Sequence, residues 1–386
     1  MINRDMEKDY YVMLTGGKNN AGDFLIKYRA KNLLASIRPD RDVEDLDGWK
    51  ALNAKNLDRI NGSKAVILMG GPALQKRMRP RVYGLIADLD AITVPIVTMG
   101  IGWHSPYGRW EDTHTYPLNR LSMKLLERIN SERYMSSVRD YHTLNVLSSK
   151  GFGNFLMTGC PALYSHEHMD IPVAVSAYPK KIGFSLGVSL KFSRRMQQQM
   201  QATILYTRDK FPDAELAVLF HHGISSAYLQ SDGASSDLYR NQIKFADWLQ
   251  SEEISYVDIS GDAEKLLSFY SQCDLHIGYR IHAHIFMSSI SKPSLLLIED
   301  GRGMALRDVI GGVNLKAYQK VNMGYISTLM DKFGISFDKM TPQNNFIQDY
   351  SNTLNYEMLN GVRFGETRES IRRHYPVMDQ FLRSLP

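Results

Sequence analysis

The chain reads as an α/β protein: two doubly wound domains facing each other across a cleft, followed by a helical tail. Three observations predict this. Short continuous apolar runs alternate with longer amphipathic runs, the pattern of parallel strands covered by helices on both faces. The alternation stops once, over 164–181, and then restarts. The 386 residues are also too many for one ordinary core and suit two domains of about 150–200 residues each.

The elements follow in order. YYVMLTG (10–16) is the first strand, with a helix from about Asp23 to Ile37 behind it. KAVILMGG (64–71) and VPIVTMGIGW (94–103) are strands on either side of a helix near 80–90. A helix near 118–130 leads to YMSSVRD (134–140), and a helix over 141–149 leads to NFLMTG (154–159). Pro172 and Pro179 mark the break in rhythm. The expected domains are therefore 1–165 and 178–315. In the second, KIGFSLG (181–187) leads to a helix of about 191–210 and ELAVLFHHG (215–223) to one of about 236–251. SYVDIS (255–260), DLHIGYR (274–280) and PSLLLIED (293–300) follow, separated by helical stretches. Residues 316–386 read as a helical tail packing back on the domains. Its arginine-rich segment 363–385 has the pattern of an amphipathic helix, read as a packed lid with a peripheral membrane surface as the alternative.

Composition narrows the function classes. Hydrophobic residues at 44%, charged residues at 23% and a net charge of +5 describe a globular chain with a mild basic bias. That bias suits anionic small molecules and falls short of a dedicated nucleic-acid binder. Cys160 and Cys273, the only cysteines, argue against a disulfide framework and a cysteine zinc site. The segment MINRDMEKDYYVML is too charged for a signal peptide. No run approaches the roughly 20 apolar residues that span a bilayer, so a cytoplasmic location is expected.

Ligands of doubly wound sheets bind at the carboxyl ends of the strands, so those ends are where chemistry is sought. The first ends in GGKNNAGD (16–23), whose glycines permit close backbone approach and whose Asn20 and Asp23 can cap the next helix. It is neither a P-loop nor a dinucleotide fingerprint. MGGPAL (69–74) and MGIGW (99–103) place Gly71 and Gly102 at neighbouring strand ends, as two parts of one wall. Arg139 follows a strand, and Asp140 reads as a helix cap. Of the adjacent pair His221 and His222, one side chain faces inward and the other away; His222 is taken as the ligand-facing one. The densest element is GYRIHAHIFMSSISKP (278–293), with Arg280, His282 and His284 at a strand-to-helix junction. The spacing is not that of a zinc motif, so no metal is expected. Arginine offers a planar fork of donors for phosphate or carboxylate. Histidine offers a proton near neutral pH.

GGKNNAGD, MGGPAL, SVRD and above all GYRIHAHIFMSSISKP, in this order over roughly residues 10–310, resemble the polysaccharide pyruvyl transferase family. The resemblance implies two Rossmann-like domains in a GT-B-like arrangement. It implies phosphoenolpyruvate as donor substrate, no further cofactor, and a sugar acceptor, free or lipid-linked, that receives a pyruvate ketal. By motif, Arg139, Arg280 and His282 bind the donor or move protons, and Asn20 and Asp23 shape the facing wall. His282 is the expected general acid, with Asp23 or His284 as base. Three places depart from the family pattern: Pro72 in place of a third glycine, Cys160-Pro161 in place of Asp-Pro, and Glu299-Asp300-Gly301-Arg302 after the last strand. Asp300 and Arg302 are either equivalents of the expected groups, or Glu299 and Asp300 grip a ribose or sugar diol. The second alternative belongs to a GT-B-type glycosyltransferase using a nucleotide sugar. A third reading, a catalytically silent scaffold of a polysaccharide assembly, leaves the arginine–histidine cluster without a purpose.

Overall fold

Continuous apolar strands need helices on both faces, and the computed structural model builds two sheets of that kind. It describes residues 9–17, 21–191, 193–230, 236–320 and 340–386; Asn20 lies outside them. The chain divides into two units, Met1–Ile171 with Asp300–Gly311 and Arg368–Pro386, and Pro172–Glu299 with Gly312–Thr367.

In the first unit six strands, β1 (Tyr10–Thr15), β2 (Asp42–Asp47), β3 (Ala65–Leu74), β4 (Ile96–Trp103), β5 (Ser136–Val138) and β6 (Phe155–Met157), form one sheet. Its order is β2-β1-β3-β4-β5-β6, with every pairing parallel. The apolar runs occupy its centre: every residue of β4 is buried, and Tyr11 to Leu14 of β1 are fully so. The helix after β1 spans Ala21–Ile37, which puts Asp23 within the first turn instead of at the cap. Asn119 and Asp140 cap the helices Arg120–Asn130 and Tyr141–Ser148 as short polar side chains at N-caps do. The helix expected near 80–90 is absent; only the short turns Met78–Val82 and Leu89–Ala91 lie there.

In the second unit β7 (Lys181–Ser185), β8 (Glu215–Phe220), β9 (Ser255–Asp258), β10 (Leu275–Gly278), β11 (Ser294–Ile298) and β12 (Val313–Lys316) pair in the order β12-β11-β10-β7-β8-β9, all parallel. Read from the β9 edge this is the 3-2-1-4-5-6 order of dinucleotide-binding domains, whose order reverses between the first and fourth strands. Here that point is the β7/β10 gap. Phe184, Phe220, Phe245 and Ile277 fill the core, and truncating one such phenylalanine to alanine costs about 3–5 kcal/mol.

Two further features differ from the sequence expectation. β2 (DVEDLD) has no apolar run; it forms because it pairs with β1 as a half-exposed edge. The tail is not helical throughout: β12 completes the second sheet, and β13 (Tyr318–Lys320) pairs antiparallel with β14 (Met340–Pro342). The helices Phe346–Asn360 and Val362–Ser384 follow. Ile371, Met378, Phe381 and Leu382 of the last helix are fully buried, as a packed helix requires. Among the described residues no helix is long and apolar enough to cross a membrane.

Candidate functional site

In the second unit the switch point between β7 and β10 carries Arg280. Gly278, at φ +142, makes this possible: a Cβ there would lie 2.4 Å from the Ser185 carbonyl oxygen, so only glycine lets the two strand ends close up. Arg280 is the N-cap residue of the helix Ile281–Ser289. Its backbone N–H donates to Ser185 Oγ at 3.0 Å, and its Nε donates to the Leu186 carbonyl at 2.8 Å. One arginine is thus held through its backbone N–H and its Nε, with the guanidinium against the end of β7. His282 lies two residues on, in the first helical turn and half-buried.

Beneath them runs a buried polar chain. Ser185 Oγ lies 2.8 Å from His276 Nε2, and His276 Nδ1 lies 2.7 Å from Ser294 Oγ. Ser294 Oγ in turn lies 2.7 Å from His284 Nδ1. A serine hydroxyl has one proton to give, so Ser294 donates to one imidazole and accepts from the other, and the two tautomers are coupled. This corrects the expectation that His284 is a base in contact with substrate: it is 1% exposed and sits in the support layer. The period-2 and helical phases of GYRIHAH cannot show this, because the partners come from β7 and β11.

Burial pushes both imidazoles below their ordinary value, His284 to about 3. An unfolded histidine titrates near 6.5. Between those values the unfolded chain takes up protons that the folded chain refuses. Stability is therefore fully present above about pH 6.5 and declines as the pH falls toward about 3, with a slope approaching about 1.4 kcal/mol per pH unit per histidine. Urea midpoints taken from pH 7.5 down to 5 should fall. The fall should be shallower in His284→Asn; equal slopes in the two proteins would remove His284 from this account.

His221 and His222 divide as an adjacent pair should. His221 is 7% exposed, with Nε2 2.8 Å from the Tyr270 hydroxyl, and is held well below its usual range by burial and then by Arg280. His222 is half-buried, with Nδ1 3.0 Å from the Tyr228 hydroxyl. Glu299 does not reach outward. Its carboxylate accepts from the backbone N–H groups of Val188 at 2.9 Å and Ser189 at 3.0 Å, and it is 7% exposed. It ties down the loop after β7, a use that leaves little of it for a ribose.

In the first unit Arg139 leaves β5, 8% exposed, with Nε 3.5 Å from Asp140 Oδ2. Asp140 uses its other oxygen to cap the next helix, accepting from Thr143 N at 2.7 Å. Gly102 is the floor on which the guanidinium lies: a Cβ there would stand 1.9 Å from Arg139 Nε. Gly71, at φ +93, and Gly17 pack in the same manner against the Asp23 carboxylate, where their Cβ atoms would come within 2.8 and 2.0 Å. The glycines of MGGPAL and MGIGW therefore make room for a carboxylate and a guanidinium, at the ends of β1, β3 and β4 beside that sheet's own switch point.

Asp300 opens the helix Gly301–Ile310, which groups with the first unit and not with the strand that precedes it. Its carboxylate accepts from Arg302 N and Arg302 Nε, both at 2.9 Å. Burial would raise this carboxyl, but the Arg302 guanidinium holds it below the usual range. Asp300 and Arg302 are thus each other's partners, and Glu299 and Asp300 do not act as one acidic pair. Both cysteines are buried, with thiols pushed up to about 11 for Cys160 and about 12 for Cys273, so neither is a thiolate at neutral pH. Among the described residues no group of three or more His, Cys, Asp or Glu is placed to hold a metal ion.

Solved sugar-nucleotide enzymes are similar to this chain at low identity. MnaA of S. aureus, solved with UDP, is 12% identical over 95% of this chain and 92% of its own, with a TM-score of 0.48. The UDP-GlcNAc 2-epimerase of Neisseria meningitidis, bound to UDP-GlcNAc, is 11% identical over 92% of this chain and 100% of its own, with a TM-score of 0.42. The E. coli heptosyltransferase WaaC, solved with an ADP-heptose analogue, is 8% identical over 75% of this chain and 88% of its own, with a TM-score of 0.36. No curated protein matches. The family described as polysaccharide pyruvyl transferase matches residues 20–298, a span that holds Asp23, Gly71, Gly102, Arg139, Arg280 and His282. The chain belongs to the polysaccharide pyruvyl transferase family.

Proposed function

We propose that the protein moves the pyruvyl group of phosphoenolpyruvate onto two hydroxyls of one sugar of a surface polysaccharide or its lipid-linked precursor. The observation that carries this is the fixed Arg280 followed by His282 at the β7/β10 switch point. The donor is a small dianionic to trianionic molecule, and an immobilised guanidinium beside a helix N-terminus is a strong partner for one of its anionic groups. His282 delivers a proton to the methylene carbon while a sugar hydroxyl adds at the neighbouring carbon and gives its own proton to a base. The second hydroxyl then bonds to that same carbon as its bond to phosphate breaks, and phosphate leaves with the last proton. The products are the cyclic ketal and inorganic phosphate. With His284 sequestered, Asp23 is the remaining base of the two named from sequence. Arg139 keeps the anion-binding role that the family motif assigns it.

Incubation with phosphoenolpyruvate and a panel of glycosides tests this directly, with mass spectrometry for the ketal adduct and a phosphate-release assay. One ketal per phosphate is the expected result. Protection of the protein by a nucleotide sugar but not by phosphoenolpyruvate, with glycosyl transfer in place of ketal formation, would overturn it.

A further inference from the structure

The first unit holds a cavity whose lining includes none of the candidate site residues. Its volume is about 640 Å³, within the range of about 300–1,000 Å³ that small-molecule sites occupy. It lies where the chain leaves β3 and β4, whose last residues Leu74 and Trp103 stand in register. The carboxyl end of a doubly wound sheet is where such folds place ligands. Tyr116 builds the floor: 8% exposed, its hydroxyl lies 2.8 Å from the Leu74 carbonyl oxygen and 2.9 Å from that of His104. This cross-tie holds the two walls, which are the segments 75–81 and 104–117.

The charge of the lining is one-sided. Lys76, Arg77, Arg81 and Arg109 line it against a single carboxylate, Asp112. Arg109 already takes that carboxylate at 2.7 Å. Lys76, Arg77 and Arg81 are exposed, and none has a carboxylate within ion-pair distance among the described residues. Three cations lining one cavity without an ion-pair partner among the described residues favour a multiply charged, oxygen-rich anion over one carboxylate, which a single arginine fork would satisfy. The remaining lining includes Tyr107, Pro106 and Pro117, flat apolar surfaces of the kind against which a sugar ring packs.

We infer that this cavity binds the phosphate or diphosphate group of a phosphorylated saccharide, with Arg77 and Arg81 as its main anion contacts. The inference rests on the pyruvyl-transfer reading only for the statement that this saccharide is the acceptor. The binding itself stands without it. The anionic group has two sources, a soluble sugar phosphate or the diphosphate of a lipid-linked sugar, and the same contacts serve both.

The test is binding by the full chain, measured by calorimetry in the absence of phosphoenolpyruvate. Inorganic pyrophosphate is the first probe because it carries the recognised group and no sugar. Arg77→Ala and Arg81→Ala are each expected to weaken its binding about 5- to 10-fold, as loss of an exposed charge-assisted contact does. Raising the salt is expected to weaken the parent protein further than the double variant. Both side chains are exposed, so thermal melts should be unchanged. Glucose 1-phosphate and geranyl diphosphate then separate the sources: the probe that gains more over pyrophosphate names the second half of the ligand. Pyrophosphate affinity that is the same in the double variant as in the parent, or no binding to the parent at all, overturns the proposal. Ketal formation from phosphoenolpyruvate on a neutral glycoside is a separate readout, so the loss of one reading does not conceal the loss of the other.

Discussion

Replacing His282 by glutamine is expected to lower the turnover of phosphoenolpyruvate to ketal by about 10²- to 10⁴-fold, the usual worth of a positioned general acid. Glutamine keeps a hydrogen-bonding group of similar reach and removes the ring nitrogen that could carry and release a proton. The change should fall on kcat and leave KM for phosphoenolpyruvate within a few-fold, because the anion is assigned to Arg280, whose anchors at Ser185 and Leu186 the substitution does not touch. Stability should hardly move. His282 is half-buried at the helix start, whereas Ala283 to Ser289 behind it are buried and carry the packing. Steady-state kinetics and a urea melt on the same preparation decide the matter. A kcat within threefold of the parent would remove His282 from proton transfer. A fall in KM-dependent binding alone would make it a donor contact and not an acid.

Gly102→Ala is expected to cost about 10²-fold in activity while lowering the melting temperature only slightly. The added methyl would stand 1.9 Å from Arg139 Nε and 2.5 Å from its Cζ. Those atoms are the far end of a flexible side chain, so the guanidinium swings away and the sheet stays intact. The lost charge-assisted contact is worth about 1.5–3 kcal/mol, or about 10- to 150-fold. Because Gly102 acts only by making room for Arg139, the double variant with Arg139→Ala should be no worse than Arg139→Ala alone. Additive losses would show a separate role for Gly102. Gly278→Ala is the contrasting case. Its nearest neighbours are Ser185 O, Oγ and N, and the two backbone atoms among them cannot step aside, so there the penalty should appear as lost stability.

Much of this architecture is legible in the residues. The run VILMGG needs no partner to declare itself a buried strand, and Asp140 three residues before Thr143 declares a cap, because both signals are local in the chain. The same holds for the strand-to-helix junction that carries Arg280 and His282. β2 was not legible: DVEDLD has the composition of a loop, and only pairing with β1 makes it a strand. The allocation of Asp300 was not legible either. PSLLLIED is continuous in sequence, yet Glu299 turns inward to the loop after β7 while Asp300 begins a helix of the other unit.

What the amino-acid sequence determined by itself was the alternation of elements, their approximate limits, the family, and the positions where cations and imidazoles stand at strand ends. What only the tertiary structure decided was which of those groups face outward and which hold the others in place. His284 lies two residues from His282, and by spacing either could serve as acid or base. The difference is made by Ser294, ten residues on in β11, and by His276 and Ser185 beyond it. A hydrogen bond between side chains on different strands depends on sheet order and register, and neither is written in the local sequence of any one strand.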